Sequence, residues 1–387
     1  MHRVLLVAPV LPADVLATAT ILERADLLES LITRTVRSSL LASRRPASPV
    51  APDRTDTSWT ADVLFYVLAL TRSRSRATDE SFAYLDRYAS RRVTENLRAI
   101  FAREDCCRQS FQRAQEIGVP TIYQLPTAYW RRVRELMERE LMEFPNICKA
   151  ASDPYEFAEK RTTRKDVELD LADHVLCPST FVRESLSPHR STNLEVIPFG
   201  VNQPDEAQPV SREPVFLYAG NITMRKGVHR LLLAWKELKA YRTYELRLIG
   251  DMFLSEKFLN DFRGMFTHVP RVSRAELDRH YAEASVFVFN PVADGFGNVI
   301  LEAMRTGTPV IASKNSGAPD AITNRVEGLL LDYGDQSQLV SALNFALSNP
   351  GEIREMGKAA AQRASKYTWQ DYGDRLVAWL RPLLKDD

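Results

Sequence analysis

Short apolar runs recur along the second half of this chain, and helix-forming stretches separate them. The runs lie at residues 215–219, 286–289 and 310–312, and two further strands with a charged residue are predicted at 246–249 and 328–332. Good helix formers with helical spacing of apolar positions fill 228–238, 275–284 and 299–305. Apolar runs without polar alternation are typical of strands buried on both faces. The pattern therefore predicts a parallel sheet covered by helices, a doubly wound α/β domain.

The first half has the same alternation, although less regularly. Strands are predicted at 1–10, 119–123 and 174–178, and helices at 13–30, 159–172 and 181–185. We also expect a strand within the apolar run 62–70 and one long helix over 80–118. A last helix is predicted from 368 to about 384, because Tyr372, Leu376, Trp379 and Leu380 recur at helical spacing.

A glycine loop follows the strand at 286–289. Gly295-Phe296-Gly297 precedes Asn298, a residue type that often starts helices, and Gly307 is placed for a left-handed helix end. Glycines let backbone approach a ligand closely, and a helix N-terminus suits a phosphate. Asp294 and Glu302 flank the loop, and a carboxylate can accept two hydrogen bonds from a sugar or ribose diol. The alternative is a tight turn inside an α/β domain.

A second loop of the same kind follows the strand at 215–219. Gly220 and Gly227 bracket it, and it carries Arg225 and Lys226. Each cation can donate to a diphosphate, and such charge-assisted hydrogen bonds contribute roughly 1.5–3 kcal/mol each. The alternative is a solvated turn that happens to carry an Arg-Lys pair.

Composition narrows the class of protein. The chain has 387 residues, enough for two domains, and a formal net charge of +1, which gives no global field for nucleic acid. The longest apolar run, 63–70, is too short to span a bilayer. Four cysteines without metal or disulfide spacing, and a first strand in place of a signal peptide, predict a cytoplasmic protein. The proline-containing polar stretch 203–214 is the predicted interdomain linker.

Residues 34–77 are rich in arginine. The basic positions are Arg34, Arg37, Arg44, Arg45, Arg54, Arg72, Arg74 and Arg76, against Asp53 and Asp56. One interpretation is a solvated loop. The other is a basic face for an anionic membrane or for a phosphate-bearing acceptor, which would make the protein peripheral at the inner membrane face.

The arrangement of Asp294 and Glu302 around Gly-Phe-Gly resembles the signature of retaining glycosyltransferases of the GT-B fold, family 4, in which two glutamates separated by seven residues bracket this segment. Segments 172–186, 196–202 and 316–320 are similar to the family as well. The chain departs from the family at Asp294, which replaces a glutamate, and at Asn221, where an arginine is common. It also lacks a glycine in its first strand–helix turn and a histidine after the strand at 119–123.

The resemblance implies two Rossmann-like domains facing across a cleft: an acceptor-side domain at 1–203, a nucleotide-sugar domain at 213–366, and a helix at 367–387 that crosses back. It implies transfer of a sugar from a nucleoside-diphosphate donor to a hydroxyl of a glycan, lipid or small molecule. No metal is expected, since the sequence has no Asp-x-Asp element, and no other cofactor is expected.

Roles for individual residues follow from the same resemblance. Lys226, with Arg225 in place of the missing arginine, would hold the diphosphate. Glu302 would hold the ribose hydroxyls, and Asp294 would orient the donor sugar. The remaining donor-binding positions are Gly220, Asn221, Val272 beside the base, and Gly295, Phe296, Gly297 and Asn298. Two alternatives stay open: a non-catalytic GT-B partner subunit or sugar-binding module, and a GT-B epimerase, which would need acid–base histidines in the cleft.

Overall fold

The fold consists of two parallel sheets covered by helices. In the computed structural model the described residues are 3–34, 50–71, 74–145, 147, 157–187, 189–203 and 212–384. Most of the predicted linker, 204–211, part of the arginine-rich stretch (35–49 and 72–73) and one of the four cysteines, Cys148, lie outside them.

The first sheet has seven strands. They are β1 (Val4–Val7), β2 (Leu28–Thr33), β3 (Thr55–Thr57), β4 (Ala99–Arg103), β5 (Thr121–Gln124), β6 (His174–Cys177) and β7 (Leu194–Val196), in the order β3-β2-β1-β4-β5-β6-β7. Its helices are α1 (Ala13–Arg24), α2 (Trp59–Thr71), α3 (Arg74–Ser90), α4 (Arg108–Glu116), α5 (Trp130–Glu143), α6 (Glu159–Asp170) and α7 (Thr180–Ser185). Helices on both faces bury the central strands completely, which explains their unbroken apolar sequence.

The second sheet has six strands. They are β8 (Glu213–Ala219), β9 (Glu245–Ile249), β10 (Thr267–Val269), β11 (Ala284–Phe289), β12 (Val310–Ser313) and β13 (Gly328–Leu331), in the order β10-β9-β8-β11-β12-β13. Its helices are α8 (Val228–Leu238), α9 (Glu256–Leu259), α10 (Arg274–Glu283), α11 (Asn298–Met304), α12 (Ala318–Ala321), α13 (Gln336–Ser348) and α14 (Pro350–Ala364). Phe287 of β11 pairs with Leu217 of β8 and Val310 of β12.

The last helix, α15 (Trp369–Leu383), returns to the first sheet's domain as expected. A capping box between Thr368 and Asp371 starts it. Its Tyr372 hydroxyl lies 2.8 Å from the Thr18 hydroxyl of α1. The chain therefore ties its two ends together through α1 and α15.

Three predictions for the first half were wrong. Residues 62–70 form most of helix α2 and no strand, because an unbroken apolar run of eight fits either element and only its surroundings decide. The long helix over 80–118 is divided into α3, β4 and α4, since Ile100 and Phe101 are needed in the centre of the sheet. The helix over 13–30 ends at Arg24, where Asp26 at φ 53° turns the chain into β2.

Candidate functional site

The two sheets point their carboxyl ends at each other. Gly295, in the loop after β11, lies so close to the loop after β5 that a Cβ there would be 2.0 Å from the Pro126 carbonyl oxygen. The Ser179 hydroxyl, after β6, donates to the Gly295 carbonyl at 2.9 Å. In open α/β sheets ligands bind at this edge, where strand order reverses. In the second sheet that point lies between β8 and β11, the two strands followed by the predicted loops.

A partly buried ion pair joins the two predicted loops. Lys226 Nζ lies 2.8 Å from Asp294 Oδ2, and the two side chains are 20% and 13% exposed. The ammonium also lies 5.6 Å from the centre of the Phe289 ring. Lys226 and Asp294, predicted separately from the two halves of the site, thus belong to one cluster.

The Asp294 carboxylate stays ionised although it is buried. Burial raises the pKa of Asp294, but the charges of Lys226 and Arg225 and hydrogen bonds from Lys226 and the Gly295 N–H outweigh this and bring the pKa below its usual value. Arg225 is half-buried, and its carbonyl accepts from the Val292 N–H at 2.8 Å. The positive charge of Arg225 lowers the pKa of the same carboxylate as that of Lys226 does.

Two glycines make these loops possible. Gly227 has φ 72°, and a Cβ there would lie 1.6 Å from the Asn290 carbonyl oxygen. Gly297 has φ 79°, and its Cβ would lie 2.7 Å from the Phe289 ring. Any side chain at 227 would separate the two loops. Gly297 is the residue that caps α11, so Asn298 is the first residue of the helix and not its cap.

Glu302, on α11, is held by two partners from α10. The Tyr281 hydroxyl donates to Glu302 Oε2 at 3.1 Å, and Arg274 Nη1 lies 2.5 Å from Oε1. Tyr281 is fully buried, while the Arg274 side chain is 50% exposed. The carboxylate is therefore fixed on one side and covered on the other by a cation that is accessible to solvent.

The other predicted donor-binding residues surround this centre. Phe296 is 2% exposed and packs against Gly317 and against the Phe199 ring, with 6.0 Å between ring centroids. Gly220 has φ 137° after β8, and the neighbouring Asn221 is exposed. Val272 is half-buried and precedes Ser273, which caps α10 in a capping box. Their assignment to a donor stays a prediction.

A cluster of charged and polar side chains between the domains, beside the Lys226 loop, was not predicted from the sequence. Glu140 of α5 is 1% exposed and accepts from His229 Nε2 and from Arg230 Nε, the latter at 2.7 Å. Burial lowers the pKa of His229 more than Glu140 raises it, so His229 is a neutral donor. Glu143 reinforces Arg230 at 2.6 Å. The only sequence signal is a Glu on the apolar face of α5.

A further polar group lies at the carboxyl edge of the first sheet. Asp14 of α1 is 4% exposed, pairs with Arg103 at the end of β4, and accepts from Gln124 Nε2 at 3.3 Å at the end of β5. Gln124 belongs to the strand after which the resembled family often has a histidine. These side chains border the first sheet's own point of strand-order reversal, between β1 and β4.

Tyr129 and Trp130, which lie between β5 and α5 and at the start of α5, are core residues. They are 2% and 7% exposed, and both donate to Asp166. His174 contacts the Trp379 ring edge-on, with 6.3 Å between ring centroids, which fits a structural role.

The described residues were also compared with the requirements of a metal site, of disulfide bonds and of a membrane-spanning helix. Across the described ranges, no three His, Cys, Asp or Glu side chains are grouped so that they could hold a metal ion. The cysteines that the structure describes, Cys106, Cys107 and Cys177, are buried free thiols. In the same part of the chain, none of the helices has the length and apolar character needed to cross a bilayer.

Comparison with known proteins identifies the second domain. Residues 202–363 match the family model described as glycosyl transferases group 1. The chain is 32% identical over 166 residues to sulfoquinovosyl transferase SQD2 of Arabidopsis thaliana, a match covering 41% of this chain and 31% of that protein. It is 28% identical over 241 residues to the MMP alpha-(1->4)-mannosyltransferase of Mycolicibacterium hassiacum, covering 58% of this chain and 56% of that protein. The matches thus span about a third to a half of these relatives.

Solved structures match the whole chain. Sucrose-phosphate synthase from Thermosynechococcus elongatus superposes with a TM-score of 0.65 at 18% identity, covering 99% of each chain. HepE of Anabaena in complex with UDP gives a TM-score of 0.62 at 16% identity, covering 99% of this chain and 100% of that one. At these identities the likeness concerns the fold, two Rossmann-like domains in the GT-B arrangement. This chain thus has the GT-B fold, and its residues 202–363 are similar to the glycosyl transferases group 1 family.

Proposed function

We propose that this protein is a retaining glycosyltransferase that moves a sugar from a nucleoside-diphosphate sugar to a hydroxyl acceptor without a metal ion. The observation that carries the proposal is the Lys226–Asp294 ion pair. It places a cation with spare donor capacity beside an ionised carboxylate, at the point of strand-order reversal that faces the other domain.

Lys226 and Arg225 bind the diphosphate of the donor. An ammonium has three donors, and Asp294 takes one of those of Lys226. Oxygens of a diphosphate take the others, and Arg225 adds a second positive charge on the same side. These cations stabilise the charge that accumulates on the departing diphosphate, the largest electrostatic contribution expected in such a site.

The two carboxylates bind hydroxyl groups. Glu302 accepts hydrogen bonds from the ribose hydroxyls of the nucleotide. The exposed Arg274 side chain moves away from Glu302 Oε1 when the ribose binds. Asp294 binds the donor sugar, because its two oxygens have lone pairs beyond those used by Lys226 and the Gly295 N–H. The shorter side chain of Asp294 is compensated by the close approach of the two loops at Gly227.

The reaction needs no protein nucleophile. The bond between the anomeric carbon and the diphosphate oxygen breaks, and the acceptor oxygen forms its bond to the same carbon on the same face. The acceptor's proton passes to the departing diphosphate. Lys226, Arg225 and the backbone around Gly297 hold that diphosphate in place while it accepts the proton.

The first ligand to test is UDP, since the HepE structure matched in fold contains UDP. We expect UDP to raise the melting temperature of the intact chain by mass action, more than GDP or ADP at equal concentration. Single-turnover consumption of the matching nucleotide sugars then distinguishes an enzyme from a non-catalytic binding module, which would bind the nucleotide and consume no donor.

Substitution of the ion pair tests the site itself. Lys226→Ala should keep the fold and lower turnover at least a hundredfold, about 2.7 kcal/mol of barrier. Glu302→Ala should act similarly through donor binding. Lys358→Ala is the control. Lys358 is 67% exposed on α14, and its ion pair with Glu355 at 2.7 Å is about as short as the Lys226–Asp294 pair at 2.8 Å. Turnover close to that of the unmodified chain in both site variants would contradict the assignment.

A further inference from the structure

One face of helix α2 is both apolar and exposed. Val63, Tyr66, Val67 and Leu70 are 48%, 41%, 54% and 87% exposed. Their spacing, i, i+3, i+4 and i+7, places them on a single stripe of the helix. The opposite side of α2 packs inward, with Ala61 fully buried and Phe65 contacting the Arg34 guanidinium 5.0 Å from the ring centre.

Such a stripe is unusual in this protein. Large exposed hydrophobic residues elsewhere in the described part of the chain are scattered singly: Val10, Met142, Phe253 and Val326. Isolated exposed hydrophobic side chains are normal, whereas a contiguous exposed apolar stripe indicates a surface that is covered by something else. The stripe arises because residues 62–70 are helical, since a strand would have sent Tyr66 and Val67 to opposite faces.

The charges beside the stripe are positive. From Trp59 to Arg76 the sequence has one acidic residue, Asp62, and arginines at 72, 74 and 76. Asp62 is buried, 6% exposed, and lies 3.8 Å from Arg34, so it adds no negative charge to the surface. Of the three arginines the structure describes the side chain of Arg76, which is exposed. The stripe is thus followed directly by a basic segment.

Helix α2 begins at the edge of the first sheet that faces the second domain. The helix begins just after β3, where the Ser58 N–H donates to the Thr33 carbonyl at the end of β2 at 3.1 Å. This is the carboxyl edge of the first sheet, the edge from which Pro126 and Ser179 reach the second domain. A surface bound to α2 would therefore lie against the domain at the cleft side of its sheet.

We propose that α2 is an interfacial helix that docks this protein onto an anionic lipid surface. Val63, Tyr66, Val67 and Leu70 enter the boundary between headgroups and acyl chains, and the exposed Arg76 side chain contacts the lipid phosphates. An apolar helix face with adjoining basic residues and shallow burial of about 5–10 Å is the pattern of such helices. A second copy of the chain fits less well, because two copies packed through this stripe would bring the basic segments that follow it together.

Vesicle sedimentation tests the proposal with the intact chain. We expect binding to vesicles of phosphatidylcholine with phosphatidylglycerol, little binding to phosphatidylcholine alone, and weakening as salt is raised. Val63→Glu and Leu70→Glu should each lower the partition coefficient at least tenfold. Val326→Glu is the matched control, since Val326 is 47% exposed, like Val63 at 48%, but lies in the second domain; it should bind as the unmodified chain does.

Other outcomes overturn the proposal. Failure of the unmodified chain to sediment with anionic vesicles, or equal loss of binding in Val326→Glu, would refute the lipid-docking role of α2. A concentration-dependent increase in mass that Leu70→Glu abolishes would assign the stripe to a contact between copies instead. If inorganic phosphate alone competes with the vesicles and Leu70→Glu has no effect, the apolar stripe plays no part in binding and the lipid-docking role of α2 is refuted.

The test is independent of the proposed glycosyl transfer. Leu70→Glu should leave the UDP-induced rise in melting temperature unchanged, because α2 lies in the domain opposite the Lys226–Asp294 pair. Loss of vesicle binding with intact nucleotide binding therefore concerns the lipid-docking role of α2 alone. Absence of nucleotide binding in every variant, including the unmodified chain, would contradict only the proposed glycosyl transfer. An unchanged melting temperature without ligand shows that the variants are folded.

Discussion

At the scale of single residues, the site depends on how each carboxylate is paired. Asp294 keeps its charge because Lys226 and Arg225 offset the cost of its burial. Glu302 is oriented differently, by a neutral hydroxyl from Tyr281 and by the exposed Arg274. The first arrangement offsets the charge of a largely buried carboxylate, while the second pairs a carboxylate with a cation that is accessible to solvent.

Removing the Tyr281 hydroxyl should weaken nucleotide binding without unfolding the domain. Tyr281→Phe deletes one neutral hydrogen bond, whose net worth is about 1 kcal/mol, so the dissociation constant for UDP should rise roughly fivefold. Calorimetric titration measures it. Tyr333→Phe is the control, since the Tyr333 hydroxyl is buried without a hydrogen-bond partner. Equal affinities for Tyr281→Phe and the unmodified chain would show that Glu302 is positioned by other means.

At the scale of elements, α5 connects the two domains. The helix starts against α6 and α7 of its own domain, where the Tyr129 N–H binds the Ser185 hydroxyl, and ends at the second domain. There the Glu140 carboxylate accepts hydrogen bonds from His229 and Arg230, which lie in the first turn of α8. Beyond α5, the Ile147 carbonyl accepts a hydrogen bond from the Ser255 N–H at 2.7 Å. Because α8 directly follows Gly227, this contact also fixes the position of the Lys226 loop.

Breaking this contact should destabilise the pair of domains. Glu140→Ala leaves the buried Arg230 with Glu143, which is 56% exposed, and leaves His229 without its acceptor. Removing one partner of a buried charged pair typically costs about 3–5 kcal/mol. We expect a lower urea midpoint and faster hydrogen exchange in α8.

The control for Glu140 is its neighbour two positions earlier. Glu138 lies on the same helix but is exposed, so Glu138→Ala should change the midpoint little. A midpoint for Glu140→Ala no lower than that for Glu138→Ala would mean that α5 contributes nothing to holding the domains.

At the scale of the whole molecule, small contacts across the cleft hold the glycine loop against the first domain. Gly295 approaches the Pro126 carbonyl, and Thr180 donates to both oxygens of Asp320, at 3.0 Å from its N–H and 2.6 Å from its hydroxyl. Val201 and Gly200 lie against the start of α15. The two domains are therefore in direct contact at the edge where the ligand is expected.

A methyl group at position 295 should push the domains apart. In Gly295→Ala the new Cβ would lie 2.0 Å from the Pro126 carbonyl oxygen, a distance that only backbone movement relieves. We expect a larger radius of gyration by small-angle scattering and weaker retention of UDP. Gly351→Ala has open space around its Cβ and should leave both unchanged. A scattering profile of Gly295→Ala identical to that of the unmodified chain would show that the cleft tolerates the methyl.

The second domain was largely predictable from sequence because its signals are local. Strands buried on both faces are unbroken apolar runs, and Gly227, Gly307 and Pro309 mark where helices and strands change, so the predicted bounds of α8 match the structure. Both glycine loops were predicted from the sequence, and the structure places Lys226 of one loop 2.8 Å from Asp294 of the other. Sequence alone thus determined the doubly wound class, the two loops and the last helix.

Only the tertiary structure decided the rest, because it depends on contacts between distant parts of the chain. Whether 62–70 becomes a strand or a helix follows from what packs against it, and the exposed stripe of α2 exists only in the second case. The partners of Glu140 are 89 and 90 residues away, and Gly295 meets Pro126 from the other domain. A local pattern gives the type of an element, but the packing of the two domains sets which charges meet and which surfaces stay open.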